Sequence, residues 1–263
     1  MKDLASRAID VNQAYLALGN ERFEAAGATF VRNRDLPAVR NCNHAAYVTA
    51  STPEEIDRLL ARAEREYAGL PYRCFDLDFR APPGFEARLA HDGYTRFDML
   101  VMVLEGELAG ESPAHDIRPV EDEAAWAAYG ALHEIDWHDF NESLGGASDD
   151  WNAAVMLRAR RIKAPPVRYW LAHQDGKPRA YVASLVGENG FGQVEDLFTH
   201  PDFRHRGLAT ALIHHGVADC RARGAGPVVI VADPDDTPKN MYAALGFRPV
   251  AIKRNWWTAA AGG

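Results

Sequence analysis

Val194-Glu195-Asp196-Leu197-Phe198-Thr199-His200-Pro201, running straight into Asp202-Phe203-Arg204-His205-Arg206-Gly207-Leu208-Ala209, decides how this chain is read. The first six residues mix apolar and acidic side chains as a strand does, and Pro201 ends them. Arg204 to Ala209 fit the pattern Gln/Arg-x-x-Gly-x-Gly/Ala at the opening of a helix. Gly207 leaves out the side chain that would keep a phosphate away from the backbone. The free N–H groups of the helix's first turn, with the positive end of its dipole, face the anion. Arg204 and Arg206 add charge-assisted donors. The predicted ligand of this loop is a pyrophosphate. Ala209, Leu212, Ile213, Gly216, Val217 and Cys220 then recur at helical spacing as one buried stripe, and Gly224 stops the helix.

Downstream, Val228 to Ala232 is a short apolar run bounded by Gly224, Gly226 and Pro227 before it and by Pro234 after it, a predicted strand. Thr237 is placed to cap a helix with Pro238 at its first position, and Gly246 ends it. Phe247 to Thr258 reads as a final strand pair carrying Trp256 and Trp257. Strand, phosphate loop, helix, strand, helix, Gly-Phe, strand resembles the order of the GNAT acetyltransferase superfamily. The resemblance covers about Ile117 to Thr258.

Composition sets the wider class. With 263 residues, 47% hydrophobic and 25% charged, the chain is long enough for one large or two ordinary globular domains. A net charge of −8 is the wrong sign for a nucleic-acid footprint. Cys42, Cys74 and Cys220 form no metal or disulfide spacing, and no apolar run approaches a membrane span of ~20 residues. Met1-Lys2-Asp3-Leu4 does not read as a signal peptide. The expected setting is cytoplasmic, without nucleic-acid or membrane partners.

A polar stretch with two glycines and a proline, Gly106 to Pro113, divides the chain into residues 1–109 and 110–263. After it come a strand near Ile117, a helix from Glu121 to Leu132, and a second from Asp150 to Ile162. Two strands follow around the turn Asp175-Gly176-Lys177-Pro178, and then the strand bearing Glu195. The first half repeats part of this order. Ser51 or Thr52 caps a helix over Glu54 to Tyr67. Tyr72 to Phe79 alternates like a half-buried strand, a Pro-led helix follows, and Gly93-Tyr94 answers Gly246-Phe247 before the strand Met99 to Leu104. Nothing before Tyr72 resembles the Arg-x-x-Gly-x-Ala loop. The expected fold is α+β: tandem GNAT-like domains, each a mixed, mostly antiparallel sheet flanked by helices. The N-terminal one is degenerate and lacks a cofactor loop.

The resemblance implies a chemistry. Backbone groups of Leu197, Phe198 and Thr199 would pair with the pantetheine of acetyl-CoA. The amides of Arg204, His205, Arg206, Gly207, Leu208, Ala209 and Thr210 would hold its pyrophosphate. A primary amine would attack the thioester directly, with no covalent enzyme intermediate. Tyr242, four residues before Gly246, stands where the family's catalytic tyrosine stands; with an ordinary pKa of ~10 it is protonated and can donate to the departing thiolate. The asparagine often found seven residues before that tyrosine is Asp235 here. Glu195 is the candidate base and Asp196 the second, because adjacent strand residues point to opposite faces and only one can address the acceptor. Acceptor recognition is expected between the first two helices of residues 110–263, at His133 to Glu142, where Asp136, Trp137 and His138 could hold a cationic amine; a solvated acidic loop is the alternative. His133, His138 and Asp136 match no metal spacing, and the family's chemistry needs no metal. Trp256 and Trp257 either line the acceptor cleft or pack in the core. The N-terminal half either shapes that cleft or mediates homodimerisation. A non-catalytic acyl-CoA sensor and a longer acyl donor are the alternatives to acetyl transfer.

Overall fold

The computed structural model describes residues 2–143 and 153–259. The N-terminal half runs α1 (Lys2–Ala17), the hairpin β1 (Glu21–Ala25) and β2 (Ala28–Arg32), and the short β3 (His44–Ala46). It continues with α2 (Pro53–Glu66), β4 (Tyr72–Leu77), α3 (Pro83–His91) and β5 (Thr95–Leu104). The C-terminal half runs β6 (Asp116–Pro119), α4 (Glu123–Ser143), α5 (Ala153–Arg161), β7 (Arg168–Gln174), β8 (Lys177–Val186) and β9 (Gly192–Thr199). It ends with α6 (Leu208–Ala222), β10 (Val228–Ala232), α7 (Pro238–Ala244) and β11 (Arg248–Ala259). The architecture is α+β, a mostly antiparallel sheet flanked by helices. The parallel pairs are β3–β4 and β9–β10, at matching places in the two halves.

The repeat is visible at the level of single hydrogen bonds. β3-α2-β4-α3-β5 and β9-α6-β10-α7-β11 share one order. Gly93 (φ +82°) and Gly246 (φ +106°) each turn the chain out of the helix in a conformation that favours glycine. The next amide closes the same loop in both: Tyr94 N–H to Leu89 O and Phe247 N–H to Tyr242 O, each 3.0 Å.

The two closing strands nevertheless trade places. The strand order is β1-β2-β3-β4-β11-β5-β10-β9-β8-β7-β6. β5 pairs with β10 (Val228↔Leu104 to Ala232↔Leu100), and β11 pairs with β4 (Arg254↔Leu77 to Ala259↔Tyr72). The exchanged strands pair with each other from Arg248↔Val103 to Trp257↔Thr95, so one sheet runs through both halves. The C-terminal half is therefore not closed by its own last strand. Phe247 to Thr258, expected as a strand pair, is one strand with an irregularity at Pro249/Ala251 that lets it bend from one half to the other.

Central placement explains the apolar runs. Val101 and Val103 enter a core with Ile9, Val11 and Tyr15 of α1 and with Tyr129, Tyr169 and Tyr181. Met102 and Leu104 enter a second core with Leu212, Ile213 and Val217 of α6. A strand covered on both faces needs no polar alternation. β4 is likewise buried at every position from Tyr72 to Leu77, where alternation had predicted a half-buried strand. Trp256 packs in a third core with Phe75, Phe85 and Leu59, so it belongs to the N-terminal half's interior. The Trp257 ring lies against the Arg40 guanidinium, 4.5 Å from its centroid.

Local signals agree in part. Thr52 and Glu55 form a capping box at the start of α2, with Pro53 at the first turn. Thr237, expected as the cap of α7, has helical backbone angles and no capping hydrogen bond; its N–H instead bonds Asp236. The segment from His133, expected to lie beyond the helix, is its continuation, because α4 runs on to Ser143. Among the described residues no helix is long and apolar enough to cross a membrane.

The exchange buries a charge pair. Lys253 of β11 and Asp76 of β4 meet at 2.7 Å, with side chains 5% and 6% exposed, and Lys253 also donates to Asn12 of α1. Removing one partner strands the other, which costs about 3–5 kcal/mol, whereas replacing both by apolar groups is near neutral. Asp76→Ala is expected to lower the urea unfolding free energy by about that amount, and Asp76→Leu/Lys253→Met to restore most of it.

Candidate active site

β9 and β10 start as a parallel pair and then part. Their register stops at Val228↔Gly192, Val229↔Gln193 and Ile230↔Val194, while β9 continues along β8 to Thr199. From Glu195 onward the β10 side of β9 has no strand partner, so the backbone of Leu197, Phe198 and Thr199 borders an open wedge. Thr199 Oγ1 is buried there without a hydrogen-bond partner among the described residues.

The wedge leads into the loop before α6. His205 (φ +61°) and Gly207 (φ +81°) both take the left-handed conformation, and Gly207 is the N-cap of α6. A Cβ on Gly207 would meet the Pro113 ring at 3.1 Å. The first intrahelical bond runs from Ala211 N–H to Gly207 O at 2.9 Å. The amides of Leu208, Ala209 and Thr210 therefore lack intrahelical acceptors at the positive end of a helix of 15 residues. The Arg204 amide is committed to Pro201 O at 3.2 Å. Its guanidinium binds Asp139 at 2.5 Å. Arg206 lies 4.8 Å from the Phe203 ring centroid and, like Arg204 and His205, is exposed.

The carboxylates sit at the mouth of the wedge on a β-bulge. Between Tyr181↔Phe198 and Ala183↔Glu195, three steps along β9 match two along β8, and Asp196 has φ +55°. Strict alternation, on which the choice between Glu195 and Asp196 rests, is interrupted here. Each carboxylate lies in the other's field and in that of Lys163.

Their surroundings hold them in different states. Asp196 accepts from Tyr15 Oη at 2.6 Å and pairs with Arg160 Nη2 at 3.1 Å. Burial works to raise the Asp196 carboxyl, but Arg160 and Lys163, with the Tyr15 hydrogen bond, outweigh it and hold it below its ordinary range. Glu195 accepts from Gln193 Nε2 at 2.6 Å. Burial, then the neighbouring Asp196 charge, pushes the Glu195 carboxyl up to about 7. Burial and one ionised neighbour thus act together to hold Glu195 near 7. The Arg160 guanidinium also donates to His133 Nδ1 at 2.6 Å and to Tyr181 Oη at 3.1 Å. Tyr181 donates to Asp136. Burial lowers the His133 pKa, consistent with a neutral ring that accepts from arginine.

Tyr242 lies on α7 across the wedge, within the field of Glu195. Burial, then Glu195, keeps its phenol well above its ordinary pKa and protonated. Its hydroxyl has no hydrogen-bond partner among the described residues. Of the segment expected to recognise the acceptor, Asp136 joins the Arg160 network through Tyr181, Trp137 is buried, and His138 is exposed. These three successive helical positions cannot share one face. Phe140 to Glu142 lie outside the residues whose side chains are described. Among the described residues no group of three His, Cys, Asp or Glu is placed to hold a metal.

Tyr15, Arg160 and Lys163 were not singled out from the sequence. α1 carried a readable signal, since Ala5, Ala8, Ile9, Val11, Tyr15 and Leu16 line its buried side. Nothing local tied that helix to Asp196, 181 residues away.

The chain is similar to known proteins in sequence and in overall fold. Residues 120–247 fit the profile of the acetyltransferase (GNAT) family. An acetyltransferase of Pectobacterium atrosepticum is 31% identical over 103 residues, 38% of this chain and 71% of that protein. The chain belongs to the GNAT acetyltransferase family. As a GNAT protein it is an acyltransferase. A Yersinia enterocolitica acetyltransferase is 32% identical over 100 residues, covering 37% of this chain and 69% of that one. An uncharacterised N-acetyltransferase of Methanocaldococcus jannaschii is 27% identical over 95 residues, and the match spans only 42% of its length. Among solved structures, a GCN5-related N-acetyltransferase from Kribbella flavida shares the fold over 98% of this chain and 96% of that one (TM-score 0.68, 19% identity). A tandem GNAT protein of the clavulanic acid biosynthesis pathway shares it over 80% of this chain and 69% of that one (TM-score 0.54, 17% identity).

The paired carboxylates give a direct check. The Glu195 carboxyl, followed by carbon-13 NMR, is expected to titrate near 7 in the native chain. It is expected to fall toward the ordinary ~4.3 in Asp196→Asn, because the like charge is gone. A titration unmoved by that substitution would leave burial alone as the cause.

Proposed function

We propose that the protein transfers an acetyl group from acetyl-CoA to a primary amine, with Glu195 as base and Tyr242 as acid. The observation that carries the reading is a carboxyl poised near 7 beside a phenol held protonated, at the mouth of the β9–β10 wedge. The wedge supports an extended amide chain along Leu197 to Thr199, and the amides of Leu208 to Thr210 support a pyrophosphate. The amine nitrogen attacks the thioester carbonyl, and the carbon–sulfur bond breaks. Glu195 takes the ammonium proton before attack or the amine proton after it, and Tyr242 donates its proton to the leaving thiolate. The acetyl group passes directly from sulfur to nitrogen, and none is left on the enzyme. Cys42, Cys74 and Cys220 are all buried, and burial raises each thiol, the opposite of what a nucleophile needs.

The acceptor would enter on the side built by α1 of one half and α5 of the other, where Tyr15, Arg160 and Lys163 surround the carboxylates. This favours the N-terminal half as a wall of the acceptor cleft over a role in homodimerisation. It also favours a small acceptor, because the carboxylates are flanked by packed side chains on both halves.

The pH dependence follows from the sign of the Glu195 shift. The working form of a base is the carboxylate, so kcat/KM is expected to rise with pH and level off above an inflection near 7. Asp196→Asn is expected to move that inflection to lower pH. Tyr242→Phe is expected to leave CoA affinity unchanged and slow turnover by roughly 10²–10⁴-fold. CoA thiol release across an amine panel measures both; a Tyr242→Phe enzyme of native rate would remove the phenol from the mechanism. In Gly207→Glu the side chain would occupy the phosphate position with a like charge, so calorimetric binding of acetyl-CoA is expected to be lost. Unchanged affinity would overturn the loop assignment.

A further inference from the structure

A second site lies in the N-terminal half, at the β1–β2 edge of the sheet and the C-terminal end of α2. A cleft of about 820 Å³ opens there, lined by Arg32, Arg34, Arg62 and Arg65 against two acids, Glu21 and Glu66. In a chain of net charge −8, four guanidinium groups in one concavity are an exception. The acids do not balance them. Arg32 binds Glu21 at 2.8 Å and also Glu66, and Arg62 binds Glu66 at 2.7 Å, so both carboxylates are spent on two arginines. Arg34 and Arg65 have no carboxylate within ion-pair distance among the described residues. Arg62 Nε is buried without an acceptor. A surplus of two positive charges remains, with one donor already desolvated.

The cleft has rigid walls. Phe23 stacks on Phe30 (5.5 Å between centroids, 10° between planes) and carries Arg32 5.1 Å from its ring centroid on β2. Arg32 is 15% exposed and held on two carboxylates, so its planar fork is fixed in place. Like charges focused in a concave site raise the local concentration of anions, and guanidinium groups bind oxyanions through paired, charge-assisted hydrogen bonds. The volume is that of a small-molecule site, yet the lining is charged where such sites are mostly apolar. It is also separate from the β9–α6 loop, since β1 and β2 form one edge of the sheet and β3, β4, β11, β5 and β10 stand between them and β9.

We propose that this arginine cleft binds a small ligand carrying two oxyanion groups, held between Arg34 and Arg65 with Arg62 Nε as a further donor. The shared chemistry is that of a diphosphate or a polycarboxylate. Titration calorimetry of the full chain with inorganic pyrophosphate at low ionic strength tests it. Two sites per chain are expected, one at the loop before α6 and one in the cleft. Arg34→Ala/Arg65→Ala changes two exposed side chains that make no side-chain hydrogen bond or ion pair among the described residues, and is expected to weaken the cleft site by roughly 10²-fold or more while leaving acetyl transfer intact. Gly207→Glu is expected to remove only the loop site. A citrate titration separates the sources: citrate bound at the cleft as tightly as pyrophosphate assigns it to polycarboxylates, and weaker binding assigns it to phosphorylated ligands. A single pyrophosphate site that Gly207→Glu abolishes, or a second site indifferent to Arg34→Ala/Arg65→Ala, would overturn the proposal.

Discussion

The antiparallel pairing of β5 with β11 is the constraint on which the rest of the molecule depends. Each strand closes its own half in sequence but the other half in space, so neither half completes a sheet alone. A sheet edge exposes unpaired backbone groups, and exchange removes two such edges at the centre by pairing four strands in the order β4-β11-β5-β10. The same arrangement fixes the relative position of the halves. It holds α1 across β9, β10, β5 and β11, where Tyr15 reaches Asp196.

That placement is what makes the active site a joint product. β9 supplies the carboxylates, α5 and the turn after it supply Arg160 and Lys163, and α1 supplies Tyr15. Asp196 stays charged because three groups from three elements hold it so; the Glu195 carboxyl is raised first by its burial and then by the Asp196 charge. A left-handed conformation at a non-glycine residue costs of order 1–3 kcal/mol. Here it is sustained by the hydrogen bond and ion pair that Asp196 gains in return. Strain, burial and charge therefore meet at one residue, beside the proposed base. That is the expected place for a fold to depart from regular geometry.

The two halves then differ by what lies between the first strand of the repeat and its helix. In the C-terminal half Pro201 to Gly207 make a loop that aims free amides into the wedge. In the N-terminal half the chain passes from β3 through Ser51 to the Thr52 cap, whose capping box consumes the donors an anion would need. The N-terminal half carries its anion chemistry elsewhere, on the arginines at the far end of α2.

Much of this was legible without coordinates. The glycine-led helix start, the Tyr242 to Gly246 spacing, the paired carboxylates and the repeat of Gly-aromatic after a short helix are all local. Each depends on the conformational reach of a few neighbouring residues, so the amino-acid sequence by itself determined them, and with them the family and most helices and strands after Ser51; α1 and β1 to β3 were not read from it. Tertiary structure alone decided the exchange of β5 and β11, because an apolar strand pairs equally well with either neighbour by pattern. It decided the bulge at Asp196, which interrupts the regular alternation of β9. It also decided which helix reaches the carboxylates, and that the residues from His133 continue α4. Side chains far apart in the chain set those outcomes through packing and charge, and no stretch of sequence records the distance between Tyr15 and Asp196.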